Sequence, residues 1–214
     1  MRLRSKFLSI GILLAIIPAF CLSAYIAYSS YSDGKSAIHE LSKAQLTAVR
    51  ESKKSQIERY FQTIQDQVLS FSKDRMIVNA MREFKRGFDD YLSQRTGDNV
   101  VQQKEKLQQY YEQSFGGEYA ERNNGQKVNS AALMQGLDAD SISLQYDFIA
   151  NNTEPLGAKD ALIQLDNNTL YSKLHKIYHP PIRDFLQRFE YFDIFLVTPD
   201  TGDIVYSVFK ELDY

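Results

Sequence analysis

Few residues of this 214-residue chain are of a type and spacing that could do chemistry. The histidines are His39, His175 and His179, and no spacing among them makes a metal set. Cys21 is the sole cysteine and lies inside an uncharged apolar run, so the rest of the chain can form neither a disulfide nor a Cys-based metal site. His179 and Arg183 are four residues apart, which places both on one helical face at a helix-to-sheet junction and makes them the candidate ligand-binding pair. Their structural alternative is to cap the helix and pair with Asp184 or Glu190. His175, beside Tyr171 and Tyr178, reads as a packing residue and His39 as a surface one. Asp193 is the odd polar residue of an apolar strand, and alternation lets it face solvent. No Gly-rich phosphate loop, nucleophile elbow, zinc motif or spaced carboxylate pair occurs. No catalytic residue, metal or cofactor is therefore expected, and the chain is not expected to be an enzyme.

The elements that carry these residues start from one stretch, Phe7 to Tyr28. Its 22 residues contain no charge, and at about 1.5 Å per residue they reach across a hydrocarbon core of about 30 Å. The spacing and composition predict a membrane-spanning helix, with Tyr25 and Tyr28 as interfacial anchors. A cleaved secretory signal is the rival reading, but its apolar core is typically about 7 to 15 residues, and Tyr25, Ile26 and Tyr28 stand where small residues belong. Arg2, Arg4 and Lys6 precede the run, which predicts a cytoplasmic N-terminus and residues 29–214 outside. Without those three, 22 basic residues face 27 acidic ones, a net charge of −5 that gives no reason to expect a nucleic-acid partner.

From about Ser36 to Gln94 there is no proline and only Gly87 among glycines, so one long helix is predicted. Ile57, Phe61, Ile64, Val68 and Phe71 follow 4,3,4,3 spacing and share a face. Ile77, Met81, Phe84, Phe88 and Tyr91 repeat it after a six-residue step, which predicts a bend near Ser72 to Arg75. Both stripes read as core or helix-pairing surface, and the first should be buried against other helices or a partner subunit. Gln94 to Asn99 reads as a turn, followed by a helix ending at Gly116 and Gly117 and an exposed loop from Glu118 to Lys127. A helix from about Asp140 to Ala150 precedes the breaker Asn151 to Ala158. Asn168 to Phe189 is a further amphipathic helix in which Pro180 and Pro181 predict a kink or restart. Tyr191 to Thr198 and Ile204 to Lys210 then form a β-hairpin, with Gly202 available for a left-handed turn position. The expected fold is mainly α with a short β-hairpin. Because two strands alone are marginal in water, the sequence is expected to be the front part of a longer protein.

The stretch TLYSKLHKIYHPPIRDFLQRFEYFDIFLVTPDTGDIVYSVFKELDY resembles the start of a double Cache sensor domain of a bacterial methyl-accepting chemotaxis receptor. IERYFQTIQDQVLSFSKDRMIVNAMREF resembles the signalling helix of these receptors, and ALMQGLDADSISLQYDFIANNTEPLGAKDAL the segment that follows it. The resemblance covers roughly Lys53 to Tyr214. It implies a cytoplasmic tail over residues 1–6, a transmembrane helix over 7–28, a long periplasmic signalling helix over 29–96 and a partial, PAS-like α/β Cache module over 97–214. It also implies an inner-membrane chemoreceptor that senses a small molecule and pairs as a homodimer through the long helix. The same sensor could precede a nucleotide cyclase or histidine kinase, or the chain could be a non-functional fragment. In such a bacterial protein the N-x-Thr sequons at Asn151 and Asn167 are accidental. The family's pocket strands would lie beyond Tyr214, so this chain by itself is expected to bind no small ligand.

Overall fold

The computed structural model describes residues 2–95, 97 and 99–212. The side chains of Arg2, Arg4 and Lys6, on which the expected orientation rests, and Thr96 and Asp98 of the expected turn lie outside the described residues. The chain divides into two units, Met1–Val68 and Leu69–Tyr214.

Helix α1 (Arg2–Ser72) supplies the first unit and is uninterrupted. It contains a stretch long and apolar enough to cross a membrane, by length and composition, with none of that stretch buried. Pro18 lies inside the helix without ending it, although it deprives the Leu14 carbonyl of its donor. Farther along, Ile57, Phe61 and Val68 are exposed and Ile64 is half-buried.

In the second unit, the predicted long helix breaks at Lys73 and Asp74, where the six-residue step between the apolar stripes falls. Asp74 leaves helical geometry (φ −63°, ψ 135°), and its carboxylate accepts the Met76 N–H at 2.7 Å, capping α2 (Arg75–Asp89). Phe71 stacks on Phe185 with ring centroids 4.0 Å apart. The second stripe is core: Ile77, Phe84, Phe88 and Tyr91 are buried. A Cβ at Gly87 would lie 3.4 Å from the Tyr171 backbone, so this lone glycine marks the close approach of α2 to α7 (Leu170–Phe189).

Helix α3 (Val100–Tyr110) does not stop at the glycines. It passes through a π-helical turn, Tyr111–Phe115, into α4 (Gly116–Arg122), correcting the expected helix end and shortening the expected loop. Gly116 is helical (φ −63°), and a Cβ there would lie 3.0 Å from the Tyr111 carbonyl oxygen; it saves space rather than ending the helix. The left-handed stop comes later, at Asn124 and Gly125. After the short α5 (Ser130–Leu133), α6 (Ala139–Gln145) runs into a second π-helical turn, Tyr146–Ala150, over the span the periodicity predicts.

Helix α7 is continuous through Pro180 and Pro181, against the expected restart. The carbonyls these prolines free belong to Lys176 and Ile177. All four residues are exposed, so water can take the place of the missing donors. Strands β1 (Phe195–Val197) and β2 (Ile204–Ser207) pair antiparallel, with a register shift between Leu196 and Val197. The hairpin is the one predicted, with shorter strands, and Gly202 takes the left-handed position (φ 82°). Helix α2 packs against α7, β2 and α6, and these elements enclose the main core.

Candidate functional site

The sequence points to His179 and Arg183, and α7 carries both to a buried junction with β2 and the short 3-10 turn Lys159–Ala161. The His179 Nε2–H donates to the Asp160 carbonyl oxygen at 2.7 Å, which leaves Nδ1 to accept the Tyr206 hydroxyl, also at 2.7 Å. Both ring nitrogens are thus engaged within the fold. Burial and the nearby Lys210 ammonium hold the imidazole neutral, depressing its pKa to about 3. Arg183 Nε donates to Asp160 Oδ2 at 2.7 Å, so Asp160 receives His179 on its backbone and Arg183 on its side chain. The alternative partners fall away as well. Asp184 pairs with Arg188, and Glu190 is the left-handed residue ending α7 (φ 56°). The sequence could not show Asp160 as the partner, because it lies 19 positions before His179 and an irregular stretch precedes α7 between them.

One turn earlier, His175 is fully buried and stacks on His179 with centroids 4.2 Å apart. Its Nδ1–H donates to the Ile163 carbonyl at 2.8 Å, while Nε2 faces no polar partner. Burial, reinforced by Lys210, keeps its pKa well below the usual histidine value. The packing role expected for His175 is what the structure gives. A base with a usable lone pair must meet a proton donor from outside, and His175 Nε2 is sealed in the core.

Lys210, which nothing in the sequence singles out, is the most unusual group of this junction. It is 1% exposed, has a left-handed backbone (φ 56°), and its ammonium donates to the Val208 and Ser207 carbonyls at 2.9 and 3.3 Å. Burial lowers its pKa to about 7. Asp193 does not face solvent as expected. It is half-buried, and its carboxylate accepts Ser207 Oγ at 2.8 Å and the N–H groups of Val208 and Phe209 at 3.0 and 3.3 Å. The Val208 N–H is shared with the Ile194 carbonyl at 3.3 Å, so the carboxylate joins the cross-strand pairing where β2 ends. Burial raises the Asp193 pKa despite those donors.

A second polar network joins the start and middle of this unit. Tyr91 donates its hydroxyl to Asp147 at 2.5 Å; Asn167 donates to the Tyr91 oxygen at 3.0 Å; and Arg95 reaches Asp147 at 3.3 Å. His39 and Cys21 are exposed on α1. Among the described residues no group of three or more His, Cys, Asp or Glu side chains could hold a metal ion.

No protein-family model, curated protein or solved structure matches this chain. The reading of its role therefore rests on its own residues.

Proposed function

We propose that the chain is the N-terminal anchor and part of the extracytoplasmic sensor region of a chemoreceptor, and that it acts without enzymatic chemistry. One observation carries this reading. A single helix, α1, contains the segment suited to a membrane and, some thirty residues farther on, an apolar stripe in which Ile57, Phe61 and Val68 are exposed. A helix of 71 residues extends about 105 Å. In this proposal the N-terminus is cytoplasmic, residues 29–214 are periplasmic or extracellular, and a second copy covers the stripe at Ile57, Phe61 and Val68. Signalling would then be a small displacement of paired helices between two states.

Two measurements test it. A reporter fused after residue 214 should be active only in the periplasm; activity confined to the cytoplasm would reverse the orientation. Single cysteines at Phe61 and Ile64, in a Cys21→Ser background, should cross-link copies in membranes far faster than a cysteine at Glu58. Equal rates at all three positions would rule out pairing through this face.

A further inference from the structure

The two π-helical turns share a feature: both contribute to the wall of a cavity of about 480 Å3 that lies beside the His179 junction, with Lys159 and Lys210 common to both. π turns interrupt α-helices chiefly where a side chain must be re-aimed, often at functional sites. Tyr110, Phe115 and Tyr119 supply aromatic surface, Ile149 and Leu156 aliphatic surface, and the volume suits a small organic molecule.

The polar groups on this wall are unbalanced. The Tyr110 hydroxyl is buried with no hydrogen-bond partner. Lys159 is 5% exposed; its ammonium donates to the Asn152 carbonyl at 2.6 Å and stands 5.4 Å from the centre of the Tyr110 ring. No carboxylate of the described residues lies within ion-pair distance of Lys159, nor of Lys210, which also lines the cavity. Arg122, by contrast, is already neutralised by Glu118 at 2.6 Å, and Glu211, exposed at the wall, adds to burial in raising the pKa of the Tyr110 hydroxyl. A buried ammonium without a counter-ion and a buried hydroxyl without a partner are each unfavourable. Both are relieved by one anionic group placed between them.

We propose that this cavity binds a small carboxylate with an aromatic or branched aliphatic body, the Tyr110 hydroxyl and the Lys159 ammonium donating to the carboxylate and Phe115 and Tyr119 holding the body. The apolar share of the wall selects against inorganic phosphate or sulfate, which would leave those rings facing water. This proposal runs against the expectation that the chain alone binds no small ligand: Tyr110, Phe115, Tyr119 and Ile149, with residues 156, 157, 159 and 209–212, wall a cavity without further strands. Binding at this site is independent of any signalling role.

The test is calorimetry and thermal shift on the full chain in detergent with 3-phenylpropanoate as probe, against its amide, the matching amine, acetate and phosphate. Saturable binding and a raised melting temperature are expected for 3-phenylpropanoate alone. Tyr110→Phe removes only the unpaired hydroxyl, so it should hold or raise the ligand-free melting temperature and weaken binding about tenfold. Lys159→Gln should weaken it further. If that variant fails to fold, Tyr110→Phe decides the matter by itself. The proposal is overturned if 3-phenylpropanoate does not bind saturably, if the amine or amide binds as well, or if Tyr110→Phe binds as tightly as the parent.

Discussion

Two apolar stripes with the same spacing meet opposite fates in this protein. Ile57, Phe61 and Val68 are 55%, 64% and 53% exposed, whereas Ile77, Phe84 and Tyr91, placed by the same 4,3,4,3 rule, are 5%, 0% and 0% exposed. Periodicity fixes which side chains share a helical face and says nothing of what covers them. For the second stripe the cover is in the chain itself: Tyr206 of β2 and Tyr171 and Tyr178 of α7 all lie within ring-contact distance of Phe84. For the first stripe, Ile57, Phe61 and Val68 stay exposed, and the cover proposed above is a second copy of the chain.

The largest effect that would break this contrast is at Phe84. Phe84→Ala should destabilise the protein by about 3–5 kcal/mol, read as a lower denaturation midpoint. Phe61→Ala should change the stability of the isolated chain by no more than about 0.5 kcal/mol while lowering the association measured by sedimentation. Equal destabilisation by both would show that the first stripe is also covered within the chain.

A smaller effect should follow removal of Asp147, which ties α2 to the second π turn. Asp147→Ala removes the acceptor of the Tyr91 hydroxyl and the Arg95–Asp147 ion pair, and about 2 kcal/mol of stability should go with them. Hydrogen exchange should locate the loosening in α2 and α6, with helical protection of residues 29–68 unchanged.

The smallest effect is one of pH, and it too belongs to the second unit. His179 takes up a proton near pH 6.5 when unfolded but only near pH 3 when folded, so between those values the unfolded chain binds more protons. Stability is therefore fully present above about pH 6.5 and falls as the pH drops toward 3; His175 acts in the same sense. Lys210 repeats the pattern higher up, adding stability as the pH rises from about 7 toward 10.5. The groups facing this cluster are the cations Lys210 and Arg183, the carboxylates Asp160 and Asp193, and the Tyr206 hydroxyl. The melting temperature should drop on the order of 5 °C between pH 7 and pH 4.5. His179→Gln, less stable at pH 7, should flatten that slope; an unchanged slope would place the acid-sensitive group elsewhere.

How much of this was legible in the sequence depended on whether the deciding contact was local. The break at Lys73 and Asp74 was visible as a six-residue step, and the hairpin as two β-branched runs around Asp200, Thr201 and Gly202. Gly116 and Pro180 misled because their usual effects depend on surroundings. A glycine reads as a helix end until a neighbouring carbonyl 3.0 Å from its would-be Cβ explains it, and a proline reads as a break until it and the residue four before it prove to be exposed. At the candidate site the sequence yielded His179 and Arg183 but not Asp160, Tyr206 or Lys210, whose proximity depends on tertiary packing. Asp193 was visible as an anomaly, and its partners, three residues of the opposite strand's end, were not.

The π turn at Tyr111–Phe115 has an evolutionary consequence. Such a turn holds one residue more than the α-helical path it replaces, so a single-codon deletion would erase it. A helix advances about 100° per residue. Losing one codon there would leave α3 and α4 helical while swinging Tyr119 and Arg122 round the axis, away from Tyr110. A substitution scan would never sample that change, and a scan of in-frame deletions would sample it in one step.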